Sequence, residues 1–174
     1  MVLMLFMIIG GSTWLYFAVT EKQQEQKEAV AKGKFEIKNE NKADVTSEDW
    51  RVLYPNTVPI LIGGTTVLAS VADTLPARIK GLSDTPFLPP NVVKLFVFGA
   101  SGKHSIWMKN MNYPLDIIWA DRDGKIVYFK ENVSPDTYPE SFAPPKPAWY
   151  VIEANAGFVA SSSIKVGDKI KLKL

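Results

Sequence analysis

A chain of 174 residues allows one domain with appendages. It has no cysteine and a single histidine, His104, which excludes a disulfide framework, a thiolate nucleophile and a multi-histidine metal centre. The formal net charge of +2 is too small to point to nucleic acid, and no cofactor motif is present.

Residues 1–20 carry no charged side chain and are rich in Leu, Ile, Met, Phe and Trp. About 20 such residues in a helix span a bilayer core. A cleaved signal peptide would begin with basic residues and end at a small-residue site. This segment has no Lys or Arg, and Ala18-Val19-Thr20 is a poor cleavage site. It therefore reads as an uncleaved transmembrane anchor holding the chain to the lipid bilayer. The charges that follow it are mixed, so they do not set its orientation.

Residues 21–49 hold six lysines and eight acids with few large apolar side chains. Such a stretch cannot bury enough apolar surface to order itself and reads as a charged tether. Residues 50–174 form the expected domain. They carry fourteen basic and ten acidic residues, a mildly basic balance.

The domain reads as mostly β. Val58–Ile62 and Thr65–Val71 are β-rich runs split by Gly63-Gly64, a hairpin signal. Residues 73–81 predict one short helix, with Asp73 or Thr74 as cap, Pro76 in the first turn and Gly81 at the exit. Val92–Phe98, Ser105–Met111 and Leu115–Ala120 predict strands. Asp121-Arg122-Asp123-Gly124 predicts a turn, and Lys125–Phe129 a returning strand. Residues 134–147 hold five of the twelve prolines and predict a long loop. Trp149–Ala154 predicts a strand. Lys169–Leu174 predicts another, with Ile170, Leu172 and Leu174 facing inward. The expected class is all-β with one short helix, as a jelly-roll-like β-sandwich or a partly closed barrel, preceded by the transmembrane helix.

Two acids interrupt otherwise apolar strands. Asp116 alternates with Leu115, Ile117 and Trp119, and Glu153 shares a face with Trp149 and Val151. A carboxylate in such a place needs a cation or several donors. The nearby candidates are Lys109, on the face of Trp107, and Arg78 on the short helix. One reading is a buried structural ion-pair network. The sharper reading is a polar-floored pocket with Trp107 and Asn110 or Asn112 at its rim. Aromatic faces with carboxylates and amides suit a sugar or another hydroxyl-rich ligand. The candidate ligand-binding set is thus Arg78, Trp107, Lys109, Asn110, Asp116 and Glu153, with no catalytic or metal-binding residue assigned. Paired acids also raise glycoside hydrolysis, with Asp116 and Glu153 as acid and base. Other motifs fail. The Asp121–Gly124 turn lacks the further ligands of a calcium loop, the glycine pairs lack the phosphate-loop pattern, and His104 has no serine elbow.

Taken together, Ala72-Asp73-Thr74, Arg78, Gly81-Leu82, Leu95-Phe96-Val97-Phe98, Trp107-Met108-Lys109-Asn110, Pro114-Leu115-Asp116-Ile117-Ile118, Val151-Ile152-Glu153, Ala156-Gly157 and Gly167-Asp168 resemble the prokaryotic family called domain of unknown function 192. The resemblance covers about residues 58–174. It implies a β-rich, jelly-roll-like domain with a short helix and an N-terminal signal or anchor, and it marks Arg78, Trp107, Lys109, Asp116 and Glu153. It implies no activity. The chain departs from the family pattern at Val93-Lys94, where a glycine and a methionine are common, and at Ser83, where a methionine is. The expectation is a membrane-tethered, extracytoplasmic binding module for a polar, carbohydrate-like envelope ligand. The alternatives are a paired-carboxylate hydrolase and a structural or partner-binding envelope protein.

Overall fold

The β-rich runs pair into one large sheet because three of them are apolar on both faces and must lie inside it. The computed structural model describes residues 50–172. The expected anchor (1–20) and tether (21–49) lie outside the described residues, as do Lys173 and Leu174. A short helix α1 (Trp50–Leu53) leads into β1 (Thr57–Ile62) and β2 (Thr65–Ala72). Next come α2 (Leu75–Lys80), β3 (Val92–Gly102), β4 (Ile106–Trp107), β5 (Leu115–Ala120) and β6 (Ile126–Val133). The chain ends with β7 (Ser141–Phe142), β8 (Ala148–Asn155), α3 (Phe158–Ser161) and β9 (Lys171–Leu172). Among the described residues no helix is long and apolar enough to cross a membrane.

Seven strands form the main sheet in the order β6-β5-β8-β3-β2-β1-β9, and β4 pairs with β7 in a separate two-stranded ribbon. β1 and β2 make the expected hairpin, with Gly63 and Gly64 at φ of 56° and 77°. β2 and β3 are parallel, and α2 lies in the crossover between them. Thr74 caps α2, its side chain accepting from the Ala77 N–H.

The sheet curls because its two edges share one segment. Gly167, Asp168 and Ile170 exchange backbone hydrogen bonds with Gly124 and Ile126 at the start of β6. One residue later, Lys171 and Leu172 pair with β1 at the opposite edge. The C-terminal segment thus ties the first strand of the sheet order to the last, giving a half-barrel. Of the two expected architectures, the partly closed barrel is the one that forms; among the described residues the second sheet is only the two-stranded β4–β7 ribbon. The reason is physical. A sandwich strand alternates apolar and polar, whereas all six residues of β5 are buried.

Two apolar clusters follow, one per face. The first contains Ala72, Phe96, Leu115, Ile117, Trp119 and Val151, covered by Trp50 and Tyr54, by Leu82 and Leu88 of the crossover, and by Met108 and Phe142. The second contains Ala69, Leu95, Ile118, Ile152 and Ala154, covered by Val159 of α3, Ile164 and Ile170. Several boundaries differ from expectation. Ser105–Met111 is extended only at Ile106–Trp107, because the chain turns at Asn110, where φ is 53°. Among the described residues the last strand covers Lys171–Leu172, and Ile170 is buried as expected. α1 and α3 add to the single helix expected; at four residues each, neither is long enough to show a helical period.

At Gly124, φ is +77° and an added Cβ would meet the Ile170 carbonyl oxygen at 2.6 Å. Gly124→Ala is expected to cost about 2–4 kcal/mol, from left-handed backbone strain plus displacement of the closing segment. Urea unfolding measures it.

Candidate functional site

The two buried acids do not meet. β5 and β8 are antiparallel neighbours in which Ile117 stands opposite Glu153 and Asp116 opposite Ala154. Residues opposite one another share a face, so the two carboxyls project from opposite faces of the sheet. The alternation read within each strand holds. The register between the strands, which separates the acids, was not readable from either strand alone. A hydrolytic pair of Asp116 and Glu153 therefore does not form.

Asp116 is completely buried on the face of the second cluster. Its Oδ1 accepts from the Asn132 N–H at 2.8 Å and its Oδ2 from the Val159 N–H at 2.9 Å. Asn132 lies near the end of β6 with φ of 51°. Val159 is the second residue of α3, whose own N-cap, Gly157, has no side chain to offer. Asp116 thus supplies from a distance the cap that α3 lacks, and it pins β6 with the same carboxylate. No cation is involved. The expected partners, Lys109 and Arg78, lie elsewhere.

Glu153 is buried on the other face, 5 % exposed, and its Oε2 has no hydrogen-bond partner. It belongs to a polar row crossing the sheet. Ser70 on β2 stands beside Lys94 on β3, and Lys94 stands opposite Glu153 on β8. The Lys94 ammonium donates to Ser70 Oγ at 3.2 Å. Burial raises the Glu153 carboxyl to about 8, and Lys94 across the strand only partly opposes that rise. Burial in turn lowers Lys94, with Glu153 opposing. Among the described residues the one side-chain ion pair is the exposed Lys80–Asp84 contact at 2.9 Å, so the expected buried ion-pair network is not what orders the core. Lys94 and Ser70 were missed in the sequence, yet Lys94 carried a readable signal: like the two acids, it is a lone charge in an apolar run, Val92-Val93-Lys94-Leu95-Phe96.

Above Glu153 lies a cavity of about 240 Å³ between the sheet and α2. Phe96, Phe98, Leu82, Ile106 and Met111 give it apolar walls, and Arg78, Trp107 and Glu153 line it too. Arg78 is held in place. It donates from Nη1 to the Asp73 and Val97 carbonyls, the latter at 2.9 Å, where β3 leaves its ladder with β8. Its guanidinium lies 5.4 Å from the Phe98 ring centre. Trp107 is half exposed at the mouth, edge-on to Tyr138.

A second, shallower hollow adjoins it, sharing Leu75, Ile79, Lys80, Ser83 and Trp107 with the cavity and adding Asp84, Lys109 and Asn110. Lys109 is exposed, with its ammonium 5.8 Å from the Trp107 ring centre. The loop carrying Lys109 and Asn110 is stitched to the end of α2. Ser83 Oγ donates to the Lys109 carbonyl, the Asp84 N–H to the Asn110 carbonyl and Asn112 Nδ2 to the Thr85 carbonyl. Of the six candidates, five gather around α2: Arg78, Trp107 and Glu153 in the cavity, Trp107, Lys109 and Asn110 in the outer hollow. Asp116 is the exception. Among the described residues no three or more His, Asp or Glu side chains converge as metal ligands.

Replacing Asp116 by Ala leaves the buried Val159 N–H unpaired and removes the partner of the Asn132 N–H, so Asp116→Ala is expected to cost about 2–4 kcal/mol in chemical denaturation. Glu153 behaves in the opposite sense. Its carboxyl ionises at an ordinary value of 4.5 when unfolded and at about 8 when folded. The folded state holds the extra proton in that window, so stability falls as pH rises from 4.5 toward 8. Glu153→Gln is expected to flatten that dependence and to gain about 2–4 kcal/mol at pH about 8, read as the change in urea midpoint.

The DUF192 family, described as uncharacterized ACR, matches residues 58–172. Two solved structures resemble the chain. One is a "putative transcription regulator" from Sinorhizobium meliloti 1021, at 28% identity and a TM-score of 0.61, covering 66% of this chain and 91% of that one. The other is a protein of unknown function from Novosphingobium aromaticivorans DSM 12444, at 28% identity and a TM-score of 0.63, covering 67% and 85%. No curated protein matches. The chain belongs to the DUF192 family.

Proposed function

We propose that this DUF192 member is a membrane-tethered, extracytoplasmic binding module that holds a small ligand in the cavity beneath α2. The observation that carries the reading is Glu153, a buried carboxyl with an unpartnered oxygen, lining an aromatic-walled cavity. A core with no use for that cavity would gain by replacing the acid with an apolar residue. The volume lies just below the usual range of ligand sites, which suits one compact molecule. The mixture of aromatic faces with Arg78 and Glu153 suits a ligand with a polar group on an apolar or ring-shaped body, a carbohydrate-like face included. Asp116 takes no part, so binding, not paired-acid hydrolysis, is the better-supported reading.

The tether reading rests on residues 1–20 and on the charged run after them, and the extracytoplasmic side rests on the N-terminal signal or anchor that the family resemblance implies, since the mixed charges set no orientation. A second reading, a partner-binding surface, has its own observation: Leu75, Ile79, Trp107 and Tyr138 are 62%, 65%, 50% and 45% exposed around the same mouth.

Thermal-shift screening of the full chain in detergent micelles against small metabolites separates these readings. A hit at a hundredfold excess over Kd should add about 2.7 kcal/mol of stability. That gain is expected to vanish in Trp107→Ala, which folds normally because Trp107 is half exposed. Hits that survive Trp107→Ala place the ligand elsewhere, and a broad screen without hits leaves the surface reading. For the tether, the full chain is expected in the membrane fraction, released by detergent but not by salt, with its C-terminal domain cleaved by external protease. Recovery in the wash would end the tether reading.

A further inference from the structure

We propose that the cavity beneath α2 selects a small carboxylate, or a comparable monoanion, on an apolar body, the anionic group lying between the Arg78 guanidinium and the Glu153 carboxyl. The inference rests on the reading that this cavity binds a small ligand, and it names the class.

Arg78 and Glu153 reach the cavity from opposite sides, one from α2 and one from the sheet, and Lys80 of α2 lines it as well. The guanidinium is placed in advance by the Asp73 and Val97 carbonyls. Arginine offers five donors in a planar fork, and Nη1 alone makes these two contacts. Such a fork suits carboxylate geometry. The charge at the mouth favours the same sign of ligand. Lys80 is neutralised by Asp84, leaving Arg78 and Lys109 as positive charges along the two hollows. The walls of Phe96, Phe98, Leu82, Ile106 and Met111 would cover an apolar body.

Glu153 decides between anion and cation. Burial keeps its carboxyl protonated below about 8, so at neutral pH it is a donor without charge. A protonated carboxyl donates a strong hydrogen bond to a carboxylate, and it offers an ammonium ligand no counter-charge. The groups facing it are Lys94 on β3, Arg78 on α2 across the cavity, and Tyr113 before β5, which Tyr54 backs. Burial raises the Tyr113 hydroxyl, so it stays neutral here, and its oxygen is within 2.6 Å of Thr85 Oγ1. None of these supplies the negative charge that a cationic ligand would need.

Five probes test the class by calorimetry on the full chain in detergent micelles: phenylacetate, hexanoate, phenylacetamide, 2-phenylethanol and phenethylamine. At pH about 6.5 the acids are expected to bind at least about tenfold tighter than the amide and the alcohol, and the amine not at all. Phenylacetate against hexanoate tells whether the walls select a ring or an aliphatic chain. As Glu153 ionises, acid affinity should fall about tenfold between pH about 6.5 and about 9. Glu153→Gln should bind the acids with less than about a twofold change over that range, because its amide cannot ionise. Arg78→Lys keeps a charge but loses the fork, and should weaken the acids about tenfold while leaving the alcohol unchanged. If the amine or the alcohol binds as well as the acids, the class is wrong while the pocket stands. If all five fail to bind, the pocket reading falls with it.

Discussion

The fold depends on one constraint: its central strands have no polar face. β5 is buried at every position, and β8 is buried without interruption from Val151 to Ala154. A strand of that kind cannot lie at the surface, so both sides of the sheet must be covered by whatever chain is left. Among the described residues the chain forms no second large sheet. It uses instead short helices, the β4–β7 ribbon and long connections on one side, and α3 with the C-terminal segment on the other. The curl is part of the same solution, since bending the sheet lets one short segment, 167–172, serve both edges.

Polar groups enter this interior at a cost, and the two acids meet the cost differently. Asp116 has two backbone donors at hydrogen-bond distance and becomes a fastener: one carboxylate holds the end of β6 and the start of α3. Glu153 has no comparable donors. Its nearest cation, Lys94, is engaged with Ser70. For an acid left this way, the cheaper state is the protonated one. Chemically similar residues on adjacent strands therefore play opposite roles, one settled and structural, the other unsatisfied and next to an open volume. The difference is set by what faces them across the sheet, not by either residue's own strand.

That difference also marks how far the sequence could be read. Strand alternation, the Gly63-Gly64 hairpin, the Thr74 cap of α2 and the burial of Asp116 and Glu153 rest on local rules, and local rules are visible in a single chain. Those rules also singled out Arg78, Trp107, Lys109 and Asn110, because charged and aromatic residues stand out against apolar runs. The register of β5 against β8 is a long-range pairing, and without it the two acids looked like partners. Lys94 was passed over for the same reason: its meaning lies in standing opposite Glu153, 59 residues along the chain. The donors to Asp116 could not be foreseen either, since a backbone N–H at Val159 carries no side-chain signature, and α3 is too short to announce itself.

The helix α2 explains why the open volume survives. A connection between two parallel strands must cross the face of the sheet, and here it does so with a six-residue helix that buries none of its residues. Leu75 and Ile79 are four apart and share one side of that helix. Both line the cavity, yet both stay largely exposed, so the helix stands over the sheet without sealing it. What fixes α2 there is polar: the Thr74 cap, the Arg78 bonds to Asp73 and Val97, and the stitching of Ser83 and Asp84 to the loop of Lys109 and Asn110. A lid held by hydrogen bonds along its edge, with only Ala77 of the helix packed against the cluster beneath, leaves room under its centre. It leaves that room over Glu153, among the described residues the one buried carboxyl still short of a partner.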